Sequence, residues 1–318
     1  MAQTTLFAPR WSFVQFGNEP FDTTECFTPE NVCLPFYDMS SVRFQMYASA
    51  LSSAPVIVFP TRKIFAYPIA WDAECNANEI PNFPTLQPLT ADVTLISDGP
   101  PSAIAVVSFN NQTIASLDDI PIYGYGGRIG VGDCFKFVLV EYWHSAGTPN
   151  VPHQIQTIGC TNCFKRVDEL CYKTLLSYIN NENNFDFYYN NGTKLNNQNR
   201  VLLPFYLHSP QLLHEESSYQ KSDGTYLKLF ERIEEELLLQ TDYMPQSWHR
   251  KLKVALAHDS VFMGNPNYDD LIPLGTNFIC RDDYQIAWNE NVKDLQLAQA
   301  STKVKVSAAL SLLNSNCS

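Results

Sequence analysis

TYLKLFERIEEELLLQTDY (residues 225–243) can be threaded as either regular element, and the choice decides how the second half of this 318-residue chain is built. Wound as a helix, the stretch puts Leu227, Phe230, Ile233 or Glu234, and Leu237 on one stripe. Extended, it puts Leu227, Leu229, Ile233, Leu237, Leu239 and Tyr243 on one face, interrupted by Glu231 and Glu235. Periodicity alone leaves both readings open.

Outward from this stretch the chain is easier to read. Towards the N-terminus, VRFQMYAS (42–49), PVIVFPT (55–61) and KIFAYPIAW (63–71) are β-branched and aromatic runs punctuated by proline. DVTLIS (92–97), AIAVVSF (103–109) and CFKFVLVEYW (134–143) follow, separated by turn signals. QIQTIG (154–159) is placed to return along CFKFVLVEYW as a hairpin. Strands at such spacing predict a β-sandwich. DELCYKTLLSYI (168–179) fits a helix or a strand. Nine of the twenty residues in 180–199 are Asn, which favours turns, with FDFYY as a strand between them. RVLLPFYLHSP (200–210), SVFM (260–263) and DYQIAW (283–288) predict further strands. PQSWHRKLKVALAHD (245–259) is the clearest helix, with Pro245 in its first turn and Trp248, Leu252, Ala255 and Leu256 as its apolar face. The expectation is a mainly β protein of two sandwich-like domains: 1–168; then 169–290, α+β with one short amphipathic helix at about 245–258; and an extended tail over 291–318.

Composition narrows function. Asp and Glu number 33 against 21 Lys and Arg, a net charge of −12, which opposes an electrostatic grip on nucleic acid or an anionic membrane. Only 17% of residues are charged and 13% are aromatic, as suits a chain that buries its outside against partners, or equally a β-rich globular domain. The N-terminal MAQTTLFAPRWSFVQF does not read as a secretory signal, and no apolar run approaches the ~20 residues of a membrane span. A soluble protein made in a cytoplasm is expected, with its nine cysteines mostly reduced.

Each tempting motif has a plainer reading. YGYGGRIGVGDCF (123–135) puts Ile129 where a dinucleotide fingerprint needs its third glycine and runs into a strand, so it predicts a turn or bulge. Cys160, Cys163 and Cys171, with His153 or Cys134 as a fourth ligand, offer one short-spaced pair where a structural zinc site shows two. They are expected to be packed, reduced thiols at a seam near Asp168. His258, Asp259 and Ser260 carry triad residue types side by side, but a triad is made by fold geometry and not by adjacency. His214-Glu215-Glu216 lacks the second His of a metalloprotease helix, and Glu234 to Glu236 read as a solvated face. No catalytic, cofactor-binding or metal-ligating set is expected. Trp11, Trp71 and Trp143 are candidates for a glycan- or receptor-binding groove, with core packing the plainer role.

The span from YLHSPQLLHEESSYQKSDGTYLK through DSVFM, then DYQIAW and the terminal NSNC, resembles virion tail structural proteins of phages that infect Bacteroidetes, the crass-like type among them. GDCFKFVLVEY, CTNCFKRV and YINNENNFDFYY look like the preceding part of that pattern, so the resemblance covers roughly residues 130–318. It implies a non-enzymatic ring or adaptor subunit of the tail or neck, assembled in the host cytoplasm. Its partners would be itself in a homo-oligomeric ring and neighbouring tail, neck or portal proteins, with DNA passing through the lumen and no membrane contact. It also implies that 225–243 is a long strand before the short helix. Cys163 stands where the pattern leads one to expect an apolar residue, which supports a packed thiol over a ligand.

Overall fold

The computed structural model describes residues 6–17, 33–37, 42–49, 62–75, 92–95, 102–109, 121–122, 127–143, 154–168, 173–182, 185–187, 198–208, 211–264, 278–280, 284–288 and 297–306. Over these residues the protein is mainly β, with one helix. PVIVFPT, Cys171 and His153 lie outside them.

The first sheet comprises β1 (Leu6–Phe7), β4 (Val42–Ser49), β6 (Asp92–Leu95), β7 (Ser102–Phe109), β13 (Thr174–Ile179), β14 (Asn199–Leu203) and β19 (Ser260–Gly264). Its order is β19-β13-β14-β4-β7-β6, with β1 also on β4. Strands from both sides of residue 168 therefore share one sheet. TLLSYI, open between helix and strand in sequence, is β13, buried along nearly its whole length.

The second sheet comprises β2 (Phe16–Gly17), β3 (Leu34–Phe36), β5 (Arg62–Ala70), β10 (Cys134–Trp143), β11 (Gln154–Thr161) and β12 (Phe164–Arg166). The expected hairpin is its centre, with Val138 opposite Cys160 and Trp143 opposite Gln154. Ile158 is the extra residue where the register shifts at Leu139/Val140, a bulge that adds local twist. β5 covers the other side of β10 along its full length. Its own outer side has no partner strand among the described residues, and that is why Pro68, which has no N–H to donate, is tolerated in mid-strand. A short ribbon, β8 (Pro121–Ile122) with β9 (Gly127–Arg128), precedes β10.

Alternation along β10 serves two cores. Phe135, Phe137 and Leu139 face the main core, while Val138 and Val140 pack with Tyr67, Ile69 and Cys160 on the opposite face. Phe36, Phe135, Phe137 and Phe164 form a knot in which every pair of ring centroids lies between 5.4 and 6.0 Å apart, mostly edge to face. Such pairs contribute about 0.5–1.5 kcal/mol each beyond the area they bury.

The third sheet comprises β15 (Phe205–Leu207), β16 (Gln211–Gln220), β17 (Tyr226–Thr241), β18 (Met244–Pro245), β20 (Phe278–Cys280), β21 (Gln285–Trp288) and β22 (Leu297–Val306). TYLKLFERIEEELLLQTDY is thus built around a strand, β17, and its Leu237 and Leu239 are buried as the extended reading requires. Tyr243, expected on the same face, is exposed beyond the strand's end. The residues expected as an extended tail include β22, which pairs with β17, β18, β20 and β21 and so lies inside the sheet. RVLLPFYLHSP is two strands and not one. Pro204 separates β14 from β15, and with them the first sheet from the third. The Pro204 carbonyl accepts from Asp242 N (2.8 Å), and Thr174 Oγ1 donates to the Phe205 carbonyl (2.8 Å), which fixes that corner.

The helix α1 (Gln246–Leu256) starts directly after Pro245, and Trp248, Leu252, Ala255 and Leu256 are all buried, as the sequence pattern implies. His249 and Lys251 are buried too, which an apolar-face reading misses. FDFYY is not a strand where it is described. Phe185 and Asp186 take left-handed backbone (φ 58° and 65°), rare for non-glycine residues, and turn the chain there.

Candidate functional site

The densest chemistry lies at one end of the second sheet. Cys33 immediately precedes β3, Cys163 immediately precedes β12, and Cys134 opens β10. β3 and β12 run parallel with Leu34 opposite Phe164, and Leu34 N donates to the Cys163 carbonyl (2.9 Å). β12 is antiparallel to β10, with Lys165 opposite Cys134. The turn ahead of Cys134 is clasped to the same strands. Gly130 N donates to Asp133 Oδ2 (2.7 Å) and Gly132, at φ 91°, needs a conformation that glycine takes freely. Gly132 N donates to the Arg166 carbonyl (2.9 Å), Arg166 N to the Asp133 carbonyl (3.0 Å), and the Arg166 guanidinium to the Ile129 carbonyl. The glycine-rich segment is thus a turn here, as expected, and it places Cys134.

The sulfurs of Cys33, Cys134 and Cys163 lie within 4.8 Å of one another. Cys33 and Cys163 are buried and joined as a disulfide, with Cα atoms 4.5 Å apart. Cys134 is half-buried. Cys75 and Cys160 form a second disulfide, with Cα atoms 5.8 Å apart. The expectation of packed, reduced thiols at Cys160 and Cys163 is corrected accordingly. Two partners distant in sequence, Cys75 and Cys33, are brought beside them by β5 and β3. Of the ligand set weighed from sequence, Cys160 is tied to Cys75, Cys163 is grouped with Cys134 and Cys33, and Cys171 and His153 lie outside the described residues. Sequence reasoning missed Cys33, and only the parallel pairing of β3 with β12 could have revealed it.

His258, Asp259 and Ser260 do not form a hydrolytic arrangement. His258 Nδ1 donates to the Val254 carbonyl (2.8 Å) and so does not donate to a carboxylate. Its ring is enclosed by Tyr178, Phe187 and Phe185, at centroid distances of 4.8, 5.7 and 5.2 Å. The left-handed turn at Phe185 and Asp186 is what brings both phenylalanines to it. Burial holds the His258 imidazolium below the usual histidine range, against smaller opposing contributions from the Val254 carbonyl and Asp259. Asp259 instead joins elements: Asn181 N donates to its Oδ2 (2.9 Å), and its own N donates to Asn180 Oδ1 (2.8 Å). These residues form a packed seam between β13 and the end of α1.

His249 is the other enclosed imidazole. Nε2 donates to the Ala298 carbonyl (2.6 Å), which leaves Nδ1 to accept from Tyr284 Oη (2.7 Å), so one side chain joins α1, β22 and Tyr284. Burial, the dominant cause, depresses its pKa, and it pushes Lys251 down to about 8. Glu236, expected on a solvated face, is buried and pairs with Lys303 at 3.4 Å.

The tryptophans do not make one groove. Trp11 packs against the main core with the Arg10 guanidinium 4.8 Å from its ring centroid. Trp71 follows the end of β5, and Trp143 sits opposite Arg62 at the other end of the same ladder. At ~3.3 Å per residue these two stand about 30 Å apart.

The most exposed apolar side chains gather elsewhere. β17 pairs with β22 only from Glu236 onwards, and from Tyr226 to Glu235 its partner among the described residues is β16 alone. These strands make a two-stranded arm about 30 Å long. Leu212, Tyr219 and Tyr226 on it are 72%, 58% and 70% exposed. At its tip, the Asp223 carboxylate accepts from Thr225 Oγ1 (2.6 Å) and N (2.9 Å), and these bonds hold its pKa down. Among the described residues no helix is long and apolar enough to cross a membrane. Comparisons with protein-family models, with characterised proteins and with solved structures find no match to this chain.

Proposed function

We propose that the chain is a structural subunit of a bacteriophage virion, a ring or adaptor protein of the tail or neck that closes into a homo-oligomer around the DNA channel. The observation that carries this reading is the β16–β17 arm. An isolated two-stranded ribbon is marginal in water, and one that displays Leu212, Tyr219 and Tyr226 gains stability by lying against something else. In a ring, that surface is the adjacent subunit, met through the same geometry at every step around the axis. The resemblance of residues 130–318 to tail proteins of Bacteroidetes-infecting phages supports the same reading. The net charge of −12 suits a lumen through which DNA slides without adhering.

The test is direct imaging and mass measurement of the purified full-length chain at micromolar concentration. Closed rings of one defined copy number are expected, and deletion of the arm tip (residues 217–227) should return the chain to monomers. A protein that stays monomeric, alone and with portal or tail extracts, would overturn the proposal.

A further inference from the structure

We propose that in its reduced form the chain binds one thiophilic divalent cation, zinc by preference, through Cys33, Cys134 and Cys163, with the fourth coordination position open to solvent. Zinc–thiolate bonds of ~2.3 Å place sulfurs on a tetrahedral ion about 3.8 Å apart, and the three sulfurs already lie within 4.8 Å of one another. What holds them there is backbone. Each cysteine begins, or immediately precedes, one of three adjacent strands, and the β10–β12 and β12–β3 ladders fix those strand ends whatever the sulfurs are bonded to. A cross-link needs two sulfurs. A third at the same point adds nothing to a disulfide, but it completes the ligand count of a zinc site that keeps one position open. Thiolates favour zinc over the harder magnesium or calcium. Cys33 and Cys163 are buried while Cys134 is half-buried, so the ion would have one approach from solvent. The Cys75–Cys160 pair belongs to no such group among the described residues.

Metal and disulfide exclude one another at this site. A small thiol or phosphine reductant supplies two electrons, and with two protons from solvent the Cys33–Cys163 bond opens to two thiols. Binding of the cation then releases the thiol protons as the thiolates form. A reducing cytoplasm favours the metal form, and an oxidising exterior favours the disulfide.

The experiment uses the full-length chain, reduced anaerobically with a phosphine, freed of metal and titrated with cobalt(II), then zinc. One equivalent of cobalt should give thiolate-to-metal charge-transfer absorption with tetrahedral d–d bands, which zinc abolishes. The same chain oxidised beforehand should show neither. C134S should weaken zinc binding at least tenfold, the loss seen when even a supporting contact is removed, yet still form the Cys33–Cys163 disulfide in air. The double variant C75S/C160S should bind as the unaltered chain does. Absence of the charge-transfer band in the reduced chain, or wild-type affinity in C134S, overturns the proposal. The readout on the unaltered chain decides the matter even if a variant folds poorly.

Discussion

β10 and β17 are both long antiparallel strands, yet they meet water in opposite ways. From Phe135 to Val140 every residue of β10 is buried, including Lys136, whose Nζ reaches the Ala73 carbonyl. The two faces of β10 feed two separate cores. β17 shares this character in its last third, where Leu237, Leu239 and Thr241 are buried beside β22. Among the described residues its first ten pair with β16 alone, in the arm that displays Tyr219 and Tyr226. The ladder hydrogen bonds are of the same kind in both regions. The described side chains differ in what covers them, so β10 carries stability, while in the proposed ring the arm would carry contact with another chain.

The sharpest way to break this contrast is to remove an aromatic ring from each region. Phe137 is fully buried in the four-ring knot, and Phe137→Ala should cost about 3–5 kcal/mol, read as a shift in the denaturant midpoint. A cost below about 1 kcal/mol would mean that the knot is not packed as described. Next in size is His249→Ala. It removes a buried ring together with its bonds to the Ala298 carbonyl and the Tyr284 hydroxyl, at about 1–3 kcal/mol for each buried polar group that loses its bond, and about 2–4 kcal/mol is expected.

Acidity and alkalinity probe the same helix with definite signs. His249 is depressed by burial, so below its unfolded value of about 6.5 the unfolded chain takes up more protons and stability falls with pH. Lys251 has a folded pKa of about 8 against 10.5 unfolded, so stability should rise between those values by up to about 3 kcal/mol. Thermal melts of wild type and Lys251→Met across pH 7 to 10.5 should show that rise only in the wild type. A parallel pair of curves would place the Lys251 amine in water.

How much of this was legible beforehand follows the same division. Where a strand is packed, its sequence says so. CFKFVLVEYW and its return QIQTIG are readable because β-branched and aromatic residues line both faces, and α1 is readable because four apolar residues share a stripe. The arm strand QLLHEESSYQ carries no comparable pattern, being mostly polar after Leu213, and β17 stayed ambiguous because its arm portion is rich in helix-favouring Glu and Leu. RVLLPFYLHSP reads as one strand, and that Pro204 marks a passage between sheets depends on which strands Asn199–Leu203 and Phe205–Leu207 meet. The cysteine cluster was half legible. Once β10 and the chain after β11 are paired, Cys134 and Cys163 must be near one another. Cys33, however, is 130 residues from Cys163 in sequence and arrives only through the parallel pairing of β3. Likewise the left-handed pair Phe185 and Asp186 answers to His258, a residue more than seventy positions away.

The smallest effect on stability belongs to the arm, and it is the most informative about function. Tyr219→Ser with Tyr226→Ser removes two side chains that are 58% and 70% exposed, at opposing ends of β16 and β17 beside the turn. Exposed substitutions of this kind shift stability by about 0.5 kcal/mol or less each. If the arm merely dangles in solvent, nothing further should change. If it seats on a neighbouring subunit, those tyrosines are buried anchors in the assembly, where truncation commonly costs more than about 1 kcal/mol per residue and is multiplied around the ring. The double variant should therefore melt within a degree or two of wild type and yet assemble at least tenfold less well by mass photometry. Unchanged assembly would remove the arm from the interface, while a large loss of thermal stability would show that the arm is packed within its own chain and that its contrast with β10 does not hold.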